Sequence, residues 1–425
     1  MSVIADIARR PALSLYSAQR ETGPQPEYIR RTADGATLGY IVTSLGNPVR
    51  GFVGGYEPLE LTHMSTTHLA LALQANVPAL WWGDSGIGKT AIAISLGATL
   101  GLPVVVISAA YLQPEDISGI PIPGEGRALS RRYDGWAVQC HEQATLLVID
   151  ELTRASSRAT RNALLRVIQE RVLGDLALHP GTVLIATANP SSVDPDAGDL
   201  PAALANRMFH ETGEPDVSEW VDWMGGGPGA TASVKVLPID WARGVPEALA
   251  TVGAYIRANP GELHKRPTDP ILAAGPWPSR RSWANAARLL AAARRSEIAD
   301  DDMLLVSGTV GPGAAIGLFA YLRDLDLPTA DELVVAGAPN WGVPKRTDRA
   351  YAQVAALVGW ARGRATAEAY STVGEFLCRA ADHGHVDIGV AGLIRLVANG
   401  AIPVGWRPDV GMTQRFGAVL KVGVA

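Results

Sequence analysis

Cysteine is nearly absent from the 425 residues of this chain, which has two, Cys140 and Cys378, far apart and outside any paired motif. Disulfide frameworks and structural zinc sites need several cysteines at short, fixed spacings. Both are therefore excluded as the basis of the fold, and a reducing, cytoplasmic location is predicted. The first 15 residues reach charge and proline before any long apolar core, so no secretory signal is expected.

The chain also lacks an excess of basic charge. It has 37 Lys and Arg against 42 Asp and Glu, a formal net charge of −5, so no global field draws it to nucleic acid or to anionic lipid. One local basic cluster places Arg154, Arg158 and Arg161 at the i, i+4, i+7 spacing of one helix face. The cluster has no interleaved aromatic residues, and a solvated or subunit-facing helix is predicted rather than a nucleic-acid surface.

One uncharged run bears on a membrane location. Residues 303–322 contain no charged side chain and are long enough to span a bilayer. The stretch "GTVGPGA" divides them with three glycines and a proline. Two short buried helices joined by a turn are therefore predicted there, and no membrane span.

What the chain does contain is an alternation of short apolar runs and helical stretches. The runs "VPALWW", "VVVIS", "TLLVID" and "TVLIATA" are separated by helical segments between about residues 56 and 215. Four strands with helical crossovers predict a mostly parallel sheet covered on both faces. Beyond about residue 275 the sequence is rich in Ala, Leu and Arg, and helices are predicted.

The first run leads into "GDSGIGKT", which satisfies G-x-x-x-x-G-K-[ST] between a predicted strand and a predicted helix. Glycines allow the backbone N–H groups of such a loop to point at phosphate, beside the positive end of the helix. Lys89 is predicted to reach the β- and γ-phosphates of ATP, and Thr90 to offer its hydroxyl to Mg²⁺. The predicted nucleotide-binding residues are Gly83, Asp84, Ser85, Gly86, Ile87, Gly88, Lys89 and Thr90.

Polar residues end the third and fourth apolar runs. Asp150 and Glu151 follow "TLLVI", and Asn189 follows "TVLIATA". Asp150 is predicted to hold Mg²⁺ through water, and Glu151 to act as a base on the attacking water. The Asn189 amide is predicted to orient that water or to touch the γ-phosphate. A plain turn before Pro190 is the alternative.

The order of these motifs, followed by "LPAALANRM", resembles the AAA+ ATPase module. The stretches "PEDISGIPIP" and "PSRRSW" are similar to those of its MoxR-like branch, whose ATPases are often paired with von Willebrand factor A-type partners. The resemblance covers roughly residues 56–350. It implies an α/β fold with a P-loop AAA+ core, its parallel sheet flanked by helices, followed by an all-α lid and a C-terminal helical region.

The resemblance also implies a division of the chain. The predicted parts are an N-terminal extension (1–55), the AAA+ nucleotide-binding core (56–224), a connecting segment (225–274), a helical lid (275–370) and a C-terminal helical extension (371–425).

By the same resemblance, Asn189 matches the first sensor of the family. Arg207 in "LANRM" matches the arginine finger that reaches a neighbouring subunit's nucleotide, and Arg281 in "RRSW" matches the second sensor, contributed by the lid. A guanidinium at these places would neutralise charge on the transferring phosphoryl group.

Two departures from the family pattern bear on these arginines. Asn206 and Met208 flank the finger in place of an acidic residue and a phenylalanine. Arg280 stands where the family usually has proline, so it is the alternative to Arg281 as the lid arginine. For Arg207 the alternative is a cap on a helix C-terminus.

Two hairpins are predicted at places where related ATPases carry insertions that face the pore or a client. One is "GIPIPGEGRALSRRY", turning at residues 124–126, and the other is "QERVLGDLALHPG", turning at Gly174 and Asp175. Ordinary surface hairpins are the alternative.

An arginine supplied by a neighbour makes catalysis depend on assembly. The resemblance therefore implies a homo-oligomeric ring of six subunits with ATP at the interfaces. The leading hypothesis is an ATP-hydrolysing remodelling motor of chaperone type, acting on a protein client with a von Willebrand A-type adaptor. The alternatives are a nucleic-acid motor or loader, with Arg127, Arg131 and Arg132 lining the pore, and a nucleotide-gated scaffold with low turnover.

Overall fold

The structure is a computed structural model. Its chain divides into two compact units, Met1–Val236 and Leu237–Ala425. The residues it describes are 27–31, 37–42, 64–125, 128–190, 194, 198, 200–214, 221, 224, 236–296, 302–325, 327–335, 342–398 and 402–423. The predictions that concern Gly126 and Arg127, and the glycine-rich stretch 225–230, lie outside this part of the chain.

The first unit is built on a seven-stranded sheet and two small hairpins. The strands are β1 (Glu27–Arg31), β2 (Thr37–Val42), β3 (Ala79–Trp82), β4 (Val104–Ser108), β5 (Ile120–Pro123), β6 (Leu129–Arg132), β7 (Leu146–Asp150), β8 (Val172–Leu173), β9 (Leu176–Ala177), β10 (Val183–Ala188) and β11 (Phe209–Thr212). The helices are α1 (Met64–Gln74), α2 (Lys89–Thr99), α3 (Pro114–Ser118), α4 (Gly135–Glu142), α5 (Arg158–Glu170) and α6 (Ala202–Ala205).

The large sheet has the strand order β1-β2-β4-β7-β10-β3-β11. Neighbours from β2 to β11 are parallel, and β1 adds antiparallel at one edge. Strand β10 lies between β7 and β3, and all six of its residues are buried, which explains its continuous apolar run. Because the carboxyl ends of parallel strands meet at one edge, β3, β7 and β10 deliver their following residues to the same place.

The four predicted strands are confirmed, and the sheet has more strands than the sequence indicated. One further parallel strand, β11, lies at the edge of the sheet next to β3. It mixes apolar Phe209 with polar residues, so no apolar run marks it in the sequence. Strands β1 and β2 lie in the predicted N-terminal extension, where the short run "TLGYIV" is interrupted by glycine.

The two predicted hairpins are present as β5–β6 and β8–β9, here named the first and second hairpins. Tyr133 joins them. Its hydroxyl donates to the carboxylate of Asp175 at the turn of the second hairpin and accepts from the Asp175 N–H at 3.0 Å. Its ring packs on Gly119 just before the first hairpin, where a Cβ would lie 2.7 Å from the ring. The hairpins are therefore held to each other.

The basic cluster that follows β7 is divided between two elements. Arg154 ends a 3₁₀ turn (Leu152–Arg154), and α5 begins only at Arg158. Ser157 caps α5 by accepting from the N–H of Thr160 at 3.0 Å. The predicted single face of three arginines is therefore wrong, because the capping break separates Arg154 from the helix.

The second unit is helical in the part that the structure describes. Its helices are α7 (Val245–Ala258), α8 (Pro270–Ala273), α9 (Arg280–Arg295), α10 (Asp302–Val310), α11 (Pro312–Leu325), α12 (Ala330–Val335), α13 (Thr347–Arg364), α14 (Ala367–Asp382), α15 (Val386–Leu396) and α16 (Val410–Gly423). The helical C-terminal region predicted from composition is confirmed.

Two larger apolar cores organise the described helices, and a small third cluster of Ala254, Leu325 and Ala352 joins α7, α11 and α13. One larger core joins α7, α9, α10 and α11, and the other joins α12 to α16. The predicted connecting segment includes α7, and the predicted boundary at residue 370 falls inside α14. The lid and the C-terminal extension are therefore continuous, because residues on both sides of that boundary share one core.

The uncharged run at 303–322 forms two helices, as predicted. Helices α10 and α11 meet at Gly311, which has a φ of +85°. Within the described segments, no helix is both long enough and apolar enough to cross a membrane.

A buried histidine on β11 makes the first unit sensitive to acid. His210 accepts a 3.0 Å hydrogen bond from the Trp82 indole on Nδ1, so its Nε2 carries the proton and donates to the Ala205 carbonyl at 2.8 Å. Burial is the main cause that lowers the pKa of this imidazole from 6.5 to about 4. A proton on Nδ1 would face the indole N–H, another donor.

Because the folded pKa lies below the unfolded one, stability present above pH 6.5 is lost as the pH falls towards 4. We expect this group to cost about 2 kcal/mol of unfolding free energy between pH 8 and pH 5. Urea unfolding followed by tryptophan fluorescence at both pH values, for the wild type and for His210→Gln, isolates the effect. An unchanged difference between the two proteins at pH 8 and pH 5 would contradict it.

Candidate nucleotide-binding site

The loop between β3 and α2 has the backbone that a phosphate site requires. Gly86 and Gly88 have φ angles of +84° and +89°, which side chains with a Cβ rarely adopt. Helix α2 begins at Lys89 directly after Gly88, and no side chain caps its first turn. The N–H groups of that turn are thus available to an anion, and the helix dipole favours one there.

Lys89 is folded back into this loop. Its ammonium donates to the carbonyls of Gly83 at 2.9 Å and Asp84 at 2.7 Å, and to Asn189 Oδ1 at 2.7 Å. Burial lowers the pKa of Lys89 below its ordinary value of 10.5, and nearby carboxylates, with Asp150 first among them, oppose that shift. The lysine is therefore a buried cation held only by neutral oxygens and facing negative charge.

Asp150 is connected to the loop and to β10 by two hydroxyl groups. Thr90 Oγ1 donates to Asp150 Oδ2 at 2.9 Å, and the hydroxyl of Thr187 donates to the other carboxylate oxygen. The sheet register explains the second contact, because Ala186 is paired with Ile149, which places Thr187 beside the end of β7. The carboxylate is thus fixed in orientation by both neighbours.

Glu151 has an unusual backbone. Its φ of +52° lies in the left-handed region, which costs a non-glycine residue about 1 to 2 kcal/mol. Its N–H donates to Thr187 Oγ1 at 3.1 Å, and its carbonyl accepts from the Arg154 N–H at 2.8 Å. Its carboxylate lies 3.5 Å from the Arg154 guanidinium. Strain of this kind concentrates at functional sites and persists because the surrounding bonds hold it.

Asn189 lies between the loop and the Glu151 turn. Its Oδ1 accepts from Lys89, and its Nδ2 donates to Ser85 Oγ at 3.0 Å and lies 3.5 Å from an oxygen of Asp194. The side chain is 9% exposed. The amide thus uses both ends, and the alternative of a plain turn residue does not account for these contacts.

The two predicted arginines have different surroundings. Arg207 follows α6, and its guanidinium donates to Gln169 Oε1 at 2.5 Å and to the Ala203 carbonyl. The helix-capping alternative is thus realised within this chain. Arg281 is exposed in the first turn of α9, in the second unit, and its neighbour Arg280 is exposed too.

These residues fit ATP and Mg²⁺. Mg²⁺ prefers oxygen ligands, and the Thr90 hydroxyl and the Asp150 carboxylate form an adjacent oxygen pair. The buried ammonium of Lys89 has only carbonyl and amide oxygens as partners, which phosphate oxygens can replace with a gain in charge pairing. The donor and acceptor chemistry therefore suits a metal-bound triphosphate.

Three residues at the site were not recognised in the sequence. Thr187 had a signal, because it is polar inside an apolar strand and two residues before Asn189, on the same face. Arg154 and Asp194 had none, because 40 residues separate them and their contact depends on the sheet order.

Comparison with known families agrees with the geometry. The ATPase family associated with various cellular activities (AAA) matches residues 79–212, which run from the first residue of β3 to the last residue of β11. These residues form an AAA ATPase domain. The AAA domain thus contains the P-loop, the Asp150–Glu151 pair and Asn189, and it ends shortly after Arg207.

Three individual proteins to which this chain is similar share fewer than a third of the aligned residues with it. Midasin from Giardia intestinalis is 26% identical over 170 residues, 38% of this chain, and the chain spans 4% of midasin's length. A candidate ATPase from Cytophaga hutchinsonii is 17% identical with a TM-score of 0.39 over 68% of this chain and 92% of that one. A full-length MCM homologue from Methanopyrus kandleri is 19% identical with a TM-score of 0.33 over 60% and 53%.

Proposed function

We propose that this chain is an ATP-hydrolysing AAA+ motor of the MoxR-like branch, which assembles into a ring of six subunits and remodels a protein client. The observation that carries the proposal is the hydrogen-bonded cluster of Lys89, Thr90, Asp150 and Asn189 at one edge of the sheet, with Glu151 next in the chain. That set provides the groups needed to bind a triphosphate and to activate water.

Each residue of the cluster has a distinct role in this proposal. Lys89 exchanges its carbonyl and amide partners for phosphate oxygens, and Thr90 and Asp150 hold Mg²⁺. When bound, Mg²⁺ neutralises charge on the terminal phosphates. Glu151 accepts the proton of the attacking water, and Asn189 orients that water once Lys89 has left its side chain.

Ring assembly is part of the proposal because of the family match at Arg207. In its own chain this arginine binds Gln169 and Ala203, so its guanidinium is spent locally. We assign it to a neighbouring subunit's nucleotide because it matches the family's arginine finger. In this role it leaves Gln169 and Ala203 on assembly and compensates charge in the transition state. Arg281 has the lid role in the same proposal, with Arg280 as its alternative.

The first hairpin supports a protein client. It exposes apolar side chains that a peptide can cover: Ile120 is 58% exposed, Ile122 38% and Leu129 75%. In the MoxR-like branch the client is reached through a von Willebrand A-type adaptor, and we extend that expectation to this chain.

Of the arginines named for a nucleic-acid client, one is engaged within the chain. Arg131 donates to the carbonyls of Ser118 and Gly119, both at 3.0 Å, so it is engaged inside the chain. Phosphate contacts need cations that face outward and give binding a steep salt dependence.

Mixing two inactive variants tests the proposed interface chemistry. Arg207→Ala is expected to bind ATP and hydrolyse it at least 10³-fold more slowly, because the charge compensation is lost. Lys89→Ala is expected to lose binding but keep its arginine. A mixture of the two variants should recover part of the turnover. It should do so at interfaces where an Arg207→Ala subunit binds ATP and a Lys89→Ala subunit supplies Arg207.

The assay is phosphate release, with particle mass measured by light scattering in a slowly hydrolysed ATP analogue. Mixtures no more active than the sum of the separate variants would contradict a role between subunits, and a monomeric mass would contradict the ring. Reduced, carboxymethylated α-lactalbumin should stimulate turnover as a model unfolded client, whereas stimulation by single-stranded DNA instead would favour the nucleic-acid alternative.

A further inference from the structure

We propose that Arg154 and Asp194 form a positioning pair that links Asn189 to Glu151, so that the sensor amide and the general base are set together. The inference rests on the proposed ATPase function and adds two residues to it. Arg154 is the shared member, because it lies between the carboxylates of Asp194 and Glu151.

The contacts of Arg154 are unequal. Its Nε and Nη2 approach one oxygen of Asp194 at 2.8 and 2.7 Å, whereas its Nη1 lies 3.5 Å from Glu151. Its own N–H closes the 3₁₀ turn on the Glu151 carbonyl, so the arginine cannot move far from that residue. The guanidinium is thus held by Asp194 while remaining within reach of Glu151.

Asp194 is the buried end of the pair, with its side chain 7% exposed. A buried carboxylate needs a cation, and Arg154 supplies it. The same Asp194 oxygen lies 3.5 Å from Asn189 Nδ2, so the arginine and the sensor amide share one acceptor. The Gly198 N–H, which donates to the Thr153 carbonyl at 3.1 Å, joins the two segments a second time.

The consequence is a continuous path of polar contacts. It runs from Lys89 through Asn189, Asp194 and Arg154 to Glu151. When phosphate takes Lys89 from Asn189, the amide is released towards Asp194. A shorter hydrogen bond from Asn189 to Asp194 either weakens the contact between Asp194 and Arg154 or moves these two side chains together. Either change alters the position of the Glu151 carboxylate.

Asp194→Asn is the principal test, made on the full chain with ATP. The amide keeps the size of the side chain but removes the charge that holds Arg154, which then pairs with Glu151 instead. We expect kcat to fall about tenfold, a part of what a general base contributes, with KM for ATP changed less than twofold. Arg154→Met should lower kcat at least as much as Asp194→Asn does, and Arg154→Lys should retain part of the wild-type kcat.

Two controls separate positioning from a structural role. Glu170→Gln breaks an exposed pair on α5, the 3.0 Å contact with Arg166, and should leave kcat unchanged. In a Glu151→Gln background, Asp194→Asn should have no further effect on the residual rate, because a residue that acts through Glu151 is silent when Glu151 is lost.

The outcomes distinguish this inference from the proposed function. A wild-type protein that does not hydrolyse ATP overturns the proposed function and the pair with it. An active wild type with an unchanged kcat in Asp194→Asn overturns the pair alone. The pair is also overturned if Asp194→Asn raises KM for ATP instead of lowering kcat, or if Arg154→Lys is no faster than Arg154→Met. It is overturned as well if Asp194→Asn lowers the residual rate of Glu151→Gln by the full factor that it has in the wild type.

Discussion

Replacing Lys89 by alanine is expected to weaken ATP binding by about a thousandfold. Lys89 is 9% exposed, and in the ATP-bound state its ammonium would face phosphate in a water-poor loop. Removing one partner of a buried, hydrogen-bonded charge pair costs about 2 to 5 kcal/mol, and 4 kcal/mol corresponds to roughly three decades in Kd. Titration of a fluorescent ATP analogue with Mg²⁺ measures the change.

A second lysine provides the matched control for this experiment. Lys345, in the second unit, is exposed, and Lys345→Ala should bind the analogue as the wild type does. Thermal unfolding of Lys89→Ala, measured on the same preparation, establishes that the protein tested for binding is folded. Tight binding by a folded Lys89→Ala protein would remove the lysine from the phosphate role.

Replacing Glu151 by glutamine is expected to separate binding from hydrolysis. The amide has the same size and keeps the strained backbone, but it cannot accept a proton. General bases contribute about 10²- to 10⁴-fold, so phosphate release should fall by that factor while ATP binding stays within a few-fold. Steady-state phosphate release and analogue titration on the same preparation measure both.

Glu142→Gln is the control for this substitution, because Glu142 is exposed at the end of α4. It should leave both quantities unchanged. Turnover near the wild-type rate in Glu151→Gln would show that another group takes the proton, and would leave the strained backbone at Glu151 without a catalytic explanation.

The central residues of the site could be predicted from the sequence because each lies next to a local signal. Lys89 and Thr90 close a glycine motif, and Asp150 and Asn189 end buried apolar runs. The sheet order then brings these ends together, since β10 lies between β3 and β7. The local sequence motifs and the sheet topology indicate the same residues, so the motifs alone were enough to predict the central residues of the site.

The remaining features depend on contacts that no short stretch encodes. Arg154 was expected to share a helix face with Arg158, but the Ser157 cap ends that possibility and Asp194 takes its guanidinium. Strand β11 was missed because an edge strand needs no continuous apolar run. The division of the helical region failed at residue 370 for a related reason, since Ala and Leu periodicity marks helices but not which of them share a core.

The Tyr133–Asp175 contact has a mechanical consequence. The second hairpin continues directly from α5, and α5 begins after the turn that carries Glu151, so in the proposed motor a movement of that turn would reach the hairpins through α5. Tyr133 links the turn of the second hairpin to the base of the first hairpin. A force on the exposed apolar side chains of the first hairpin must therefore break this contact before either hairpin can move separately.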